Sequence, residues 1–183
     1  MTTYVAFLRA INVGGHAVVK MTDLRDAFTA AGCKNVRSLI ASGNLIFEAP
    51  GTSPTALVRR IEGKLRTLMG EAPGLFVRTM REIERLVASA PFKRFEAKPR
   101  IKLSVSFLSD KPRQRPTFPL RSAPEALEVI GMKNKEAFTV SGRKKNGFYG
   151  FPNLFIEQQF GVSATSRNWT TIKKLLSAPR SAP

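Results

Sequence analysis

Two short segments near the ends of the chain hold residue types that could grip an anion. Arg9 and Asn12 stand at the exit of an apolar run, with Gly14-Gly15 just beyond. Glycines permit close backbone approach, and successive N–H groups in such a turn form a concave donor surface. Near the other end, Ser166-Arg167-Asn168-Trp169-Thr170-Thr171 is expected to open the last helix, where free N–H groups and the helix dipole favour negative charge. The two segments together predict one ligand-binding pocket of Arg9, Asn12, Gly14, Gly15, Arg167 and Asn168, with Lys20 as an outer contact. Two arginines gathered there would repel by on the order of a few kcal/mol at an effective dielectric of about 20, unless an anion or a carboxylate sat between them. The competing reading is a tight turn in which Asn12 caps the backbone and Arg9 pairs with a carboxylate. No Walker lysine motif follows Gly14-Gly15, which excludes an NTP-hydrolysing phosphate loop.

A second group of residues points to nucleic acid. Arg143-Lys144-Lys145-Asn146-Gly147-Phe148-Tyr149-Gly150-Phe151 invites comparison with the basic-aromatic strand of an RNA-binding sheet. Its register is wrong for that role, because adjacent Phe148 and Tyr149 cannot share a sheet face and Pro152 ends the strand early. A basic loop followed by core aromatics is the expectation. Lys93 and Arg94 begin another basic stretch that continues through Lys98, Arg100 and Lys102; a solvated loop and strand face is the plain alternative. The nucleic-acid contact candidates are Lys93, Arg94, Arg143, Lys144 and Lys145. Trp169 falls in step with an apolar helical face, so it is expected in the core rather than as a stacking platform.

Composition removes several chemistries. A lone His16 and a lone Cys33 leave a zinc site short of ligands, so no metal and no cofactor is expected. A Ser-His-Asp or Cys-His mechanism would have to use His16, and no Gly-x-Ser-x-Gly elbow is present. Cys33, at an expected helix end, reads as a small buried side chain. The charge is strongly basic, with 30 Lys+Arg against 13 Asp+Glu and a net +17. It is unevenly spread: residues 1–91 carry 12 basic and 7 acidic side chains, residues 92–183 carry 18 and 6. Such a field favours polyanions and phosphate-bearing molecules, although a general bias toward solvated Lys and Arg would look the same. No run approaches the roughly 18 apolar residues that span a bilayer, and Thr2-Thr3-Tyr4 supplies no basic leader region. The expectation is a cytoplasmic protein with no membrane partner.

The elements that must position these residues follow from periodicity. Residues 4–11 read as a buried strand, and Leu24, Ala27, Phe28 and Ala31 as a helix stopped by Gly32. Val36 to Ile40 and Leu45 to Phe47 form a hairpin around Ser42-Gly43-Asn44. Ser53-Pro54 starts a helix with Leu57, Ile61, Leu65 and Leu68 on one face, and Leu75-Phe76-Val77 is the next strand. This β-α-β-β-α-β order is the split βαβ pattern of a ferredoxin-like half. A second half follows: a helix begun by the capping pair Thr79 and Glu82, then a half-buried strand over Ile101 to Phe107 with its Lys102, Ser104 and Ser106 side exposed. Ser109 to Pro119 is a loop. Ala126 to Ile130 and Ala137 to Val140 flank a turn at Gly131 to Asn134. Leu154 to Phe160 is a helix ended by Gly161, and a last helix buries Trp169, Ile172 and Leu176. The expected architecture is α+β: two ferredoxin-like halves, residues 1–79 and 80–176, with antiparallel sheets, helices on one face of each and a C-terminal helical segment. Residues 177–183 are expected to be a disordered tail.

Four motifs also carry a family resemblance. Leu8-Arg9-Ala10-Ile11-Asn12-Val13-Gly14-Gly15, Lys20-Met21, Ser42-Gly43-Asn44 with Phe47, and Ala164-Thr165-Ser166-Arg167-Asn168-Trp169-Thr170-Thr171 occur in the order and spacing of the bacterial domain-of-unknown-function 1697 family. The chain resembles that family over nearly its whole length. The resemblance implies two ferredoxin-like halves and no established activity. Ser166 stands where threonine is expected, and His16-Ala17-Val18-Val19 is less basic than the usual segment. Three function classes follow: a binding module for an anionic ligand such as a phosphate-bearing molecule or nucleic acid; an enzyme using Arg, Asn and Thr groups without His or metal; and an interaction protein.

Overall fold

The continuous apolar run Tyr4-Val5-Ala6-Phe7-Leu8 lies in strand β1 (Thr2–Leu8), buried on both faces, with Tyr4, Ala6 and Leu8 on one and Val5 and Phe7 on the other. After it come α1 (Met21–Ala30), β2 (Lys34–Ser38), β3 (Asn44–Ala49), α2 (Pro54–Met69) and β4 (Leu75–Thr79). The computed structural model describes residues 1–9, 19–39, 43–51, 53–114 and 116–178. It divides into two units, Met1–Glu84 and Arg85–Ser177.

In the first unit β1 lies between β3 and β4 and runs antiparallel to both, giving the order β2-β3-β1-β4. This is the split βαβ arrangement expected from the sequence. Both helices cover the Tyr4 face. Leu24 and Phe28 of α1 and Leu57, Ile61 and Leu65 of α2 are buried in one cluster with Tyr4, Ala6, Leu8, Leu45 and Phe47. Each such side chain contributes on the order of 1.5–3 kcal/mol by leaving water. Gly32 (φ +88°) and Gly70 (φ +82°) end the two helices in the conformation that glycine adopts without strain.

α3 (Met80–Ala88) follows β4 directly. Its first turn is closed by a reciprocal capping pair: the Thr79 N–H donates to Glu82 Oε2 at 2.7 Å, and the Glu82 N–H to Thr79 Oγ1 at 3.2 Å. The second unit then contains β5 (Lys102–Leu108), β6 (Leu120–Ser122), β7 (Leu127–Lys133), β8 (Glu136–Ser141), α4 (Pro152–Phe160), β9 (Ala164–Asn168) and α5 (Trp169–Ser177). Its antiparallel sheet has the order β6-β7-β8-β5-β9. Without the short edge strand β6, the order β7-β8-β5-β9 repeats that of the first sheet, β2-β3-β1-β4. The repeat reaches single residues. Val5, Phe7 and Leu8 of β1 match Val105, Phe107 and Leu108 of β5; Arg78 sits opposite Val5, and Arg167 opposite Val105. Arg78-Thr79-Met80, Ile83 and Leu86 then match Arg167-Asn168-Trp169, Ile172 and Leu175 as each strand runs straight into a nine-residue helix.

Several expectations need correction. The first strand ends at Leu8, and the Arg9 N–H turns to the Gly74 carbonyl at 2.8 Å; residues 10 and 11 lie outside the described residues. Ser166, Arg167 and Asn168 do not open the last helix. They pair with Ser106, Val105 and Ser104 as strand β9, and Trp169 is the first helical residue. The β-bridge partners offered by β5 override the local cap signal. Leu175, not Leu176, completes the buried set of α5: Trp169, Ile172 and Leu175 are buried and Leu176 is exposed. Gly131 to Lys133 belong to β7, whose ladder slips between Val129 and Gly131, so the turn falls at Asn134 and Lys135. The polar side of β5 is not exposed: Ser104 and Ser106 are buried, because β5 is an inner strand and α4 packs on that face. Helices do not keep to one side of this sheet either. Ile156 and Phe160 of α4 pack with Ala137, whereas Trp169 meets Phe92 and Phe92 meets Phe138, which faces the other way. Among the described residues no helix is long and apolar enough to cross a membrane.

Candidate functional site

The second unit carries a cleft between the turn after α3 and the turn end of the β7–β8 hairpin. Its volume is about 570 Å³, and it is open to solvent. One wall is built from Ser89, Ala90, Pro91, Lys93 and Arg94. Pro91 cannot continue α3, and Ala90 turns the chain with a positive φ of 44°. The Ser89 hydroxyl donates to the Leu86 carbonyl at 2.7 Å, closing the helix end. Phe92 is the anchor. Fully buried, it packs edge-on against Phe138 at 5.9 Å and Trp169 at 5.2 Å between ring centroids. With Phe92 held inward, Lys93 and Arg94 remain exposed at the rim.

The other wall comes from Ile130, Met132, Lys133 and Phe138. The slip in β7 inserts Ile130 as an extra residue, which adds apolar surface at this edge. The site therefore has an apolar floor, three cationic side chains and no carboxylate in its lining. Among the described residues, Lys93 and Lys133 make no side-chain hydrogen bond or ion pair, and the Arg94 guanidinium lies 4.9 Å from the Phe95 ring centroid. Concentrated like charge beside apolar surface suits a ligand with an anionic group and a non-polar body.

The remaining predicted residues fall in different units or outside the described residues. Arg9 and Lys20 belong to the first unit, where Lys20 precedes α1 in extended conformation and is exposed. Asn12, Gly14 and Gly15 lie outside the described residues, as does His16. Arg167 and Asn168 belong to the second unit. The Arg167 guanidinium donates to Thr165 Oγ1 and to the Ser166 carbonyl, each at 2.9 Å, and burial pushes its pKa down to about 10. Trp169 is core, as expected; its indole N–H donates to Glu96 Oε1 at 2.6 Å.

Of the second basic cluster, Lys144 is held by Glu125, with both carboxylate oxygens 3.2 Å from Nζ. Arg143 lies 5.5 Å from the Tyr149 ring centroid, and Lys145 is exposed. The aromatics do not all enter the core. Tyr149 folds back beneath Arg143, but Phe148 and Phe151 are 73% and 60% exposed. Phe148 and Tyr149 point to different sides as expected, and Phe151 is exposed again beyond Gly150.

Cys33 is buried beside α1, and burial pushes its thiol pKa up to about 11, which makes it a poor nucleophile. Among the described residues no group of three or more His, Cys, Asp or Glu side chains is arranged to hold a metal. Lys133 and the apolar floor were missed by sequence reasoning. Their signal was an uncompensated lysine beside a glycine-containing strand, which means little until the turn at Phe92 is brought against it.

The fold and the cleft describe an α+β protein of two repeated split βαβ units. A family model described as a protein of unknown function, DUF1697, matches residues 1–138, and the chain belongs to that family. The solved structure of the conserved bacterial protein SP0830 from Streptococcus pneumoniae is similar, at 19% identity, a TM-score of 0.68, and coverage of 95% of this chain and 96% of that one. That likeness establishes the shared fold. No curated protein matches the chain.

Proposed function

We propose that this protein is a binding module for an anionic, phosphate-bearing ligand, taken up at the cleft of the second unit and working in the cytoplasm. The carrying observation is the lining: Lys93, Arg94 and Lys133 around Ile130, Met132 and Phe138, with no acidic side chain among them. A phosphate would meet the cations at the rim while an apolar or aromatic body covers the floor. The net charge of +17 would raise the local concentration of any anion and speed its arrival at low salt.

The test is a thermal-shift screen of small phosphorylated metabolites, followed by titration calorimetry on the hits. Stabilisation by a ligand binds the reading to mass action, at about 2.7 kcal/mol when the ligand is at a hundred times its Kd. Replacing Lys93 and Lys133 by Glu should abolish the shift without changing the melting of the free protein. A hit that both reversals leave intact would sink the assignment.

A further inference from the structure

We propose that the tip formed by residues 143–154 is a second, separate site that binds single-stranded nucleic acid by stacking bases on Phe148 and Phe151. Only six large apolar side chains are exposed among the described residues, and three of them, Phe148, Phe151 and Leu154, fall within this short segment. Isolated exposed apolar residues are ordinary, but a cluster of them marks a contact surface. The backbone of the tip is also tied by hydrogen bonds. The Lys144 N–H donates to the Phe148 carbonyl at 2.8 Å, the Phe148 N–H to Asn146 Oδ1 at 3.1 Å, and the Phe151 N–H to Glu125 Oε2 at 3.2 Å. Gly150 lets the backbone between the two rings approach Glu125 closely: a Cβ there would lie 1.7 Å from the Glu125 carbonyl oxygen, so no larger residue fits without moving the backbone.

Charge decides the occupant. Glu125, the carboxylate that meets this segment, is already engaged by Lys144 and by the Phe151 N–H, and those contacts hold its pKa below the usual value. Arg143 and Lys145 are left exposed at the same tip with no acidic residue between positions 143 and 154. Exposed aromatic rings flanked by cations are the arrangement that holds a single strand: rings take the bases and cations take the phosphates, with little dependence on sequence. A duplex hides its base faces and could use only the cations.

The tip is distinct from the cleft. It follows the last residue of β8, whereas Phe138 of the cleft lies near the first. The experiment is fluorescence anisotropy with a labelled oligothymidylate of about fifteen nucleotides and a duplex of equal length, at about 50 and 200 mM salt. The strand should bind more tightly than the duplex, and Phe148→Leu with Phe151→Leu should weaken strand binding roughly tenfold or more while leaving duplex binding unchanged. Leucine keeps apolar area and removes the ring, and both positions are exposed, so folding is preserved. Phe148→Trp should retain or strengthen binding. Lys93→Glu with Lys133→Glu should leave it within a small factor, so failure of the cleft reading does not decide this one. Equal binding of strand and duplex, or strand binding indifferent to the leucine pair, would overturn the proposal. So would leucine variants that still bind phosphatidylserine vesicles as tightly as the parent while the parent ignores the strand.

Discussion

The two units cross from their first strand to their second by different routes. In the first, α1 spans the crossing and lays Leu24 and Phe28 on the sheet. In the second, a proline-rich loop and the three-residue β6 do so, and only half-buried Phe118 and Leu120 reach the corresponding cluster, Phe118 meeting Phe160 at 6.4 Å between centroids. The floor beneath changes with the cover. Tyr4, Ala6, Phe47 and Ala49 line the helix-covered face of the first sheet; the matching positions in the second are Ser104, Ser106, Thr139 and Ser141. Two covering helices demand apolar partners in the first sheet, whereas α4 with a loop in place of the other helix leaves space that small hydroxylated side chains fill. Some of these are satisfied. Ser106 Oγ lies 2.6 Å from Ser166 Oγ, which donates to Asn153 Oδ1 at 2.6 Å, so Ser106 is the donor to Ser166. Thr139 Oγ1 and Ser141 Oγ are buried with no hydrogen-bond partner among the described residues. The same topology thus tolerates two qualities of core.

Two residues allow the units to be followed separately: Cys33 in the first by thiol labelling, and Trp169, the lone tryptophan, in the second by fluorescence. The largest expected effect contrasts the two covers. Phe28→Ala should destabilise by about 3–5 kcal/mol and open Cys33 to labelling, whereas Phe118→Ala should cost about 1–2 kcal/mol, being half exposed already. Urea denaturation measures both; equal losses would break the comparison.

A gain of stability should come from the floor of the second sheet. Thr139→Val removes an unsatisfied buried hydroxyl at nearly constant volume and should stabilise by about 1 kcal/mol. A loss would mean that the hydroxyl has a partner, such as a bound water.

Helix entry sharpens the repeat. Thr79→Ala breaks the capping pair of α3 and should cost about 1 kcal/mol. Asn168→Ala, at the matching position before α5, should cost much less, because Asn168 makes no side-chain hydrogen bond among the described residues.

The smallest effect is a pH dependence. The hydrogen bond from Trp169, followed by the charge of Lys173, lowers the pKa of Glu96 from 4.5. A lowered carboxylate pKa stabilises the folded state above the ordinary value, and that contribution disappears as pH falls through the folded pKa. Trp169 fluorescence should therefore shift on acidification in the parent, and Glu96→Gln should flatten the shift.

Local pattern made much of this architecture readable. The apolar run Tyr4–Leu8, the alternation in Leu103–Phe107, the apolar face of α2, the stops at Gly32 and Gly70 and the Thr79–Glu82 cap are each decided by residues within a turn or two, so they stand in the sequence. The repeat was there as well, in Arg78-Thr79-Met80 with Ile83 and Leu86 against Arg167-Asn168-Trp169 with Ile172 and Leu175, but only the matching registers against Val5 and Val105 give that spacing its meaning. What long-range pairing decides could not be read locally. Ser166 to Asn168 carry helix-start chemistry yet become a strand because β5 offers them a ladder. Ser104 and Ser106 look solvated yet are buried because α4 lies over them. The cleft requires Phe92 to find Phe138, more than forty positions away, before Lys93 and Arg94 stand opposite Lys133. Sequence determined the elements and the excess of positive charge; tertiary structure decided which cations share a site, because burial of one distant aromatic ring sets where its neighbours point.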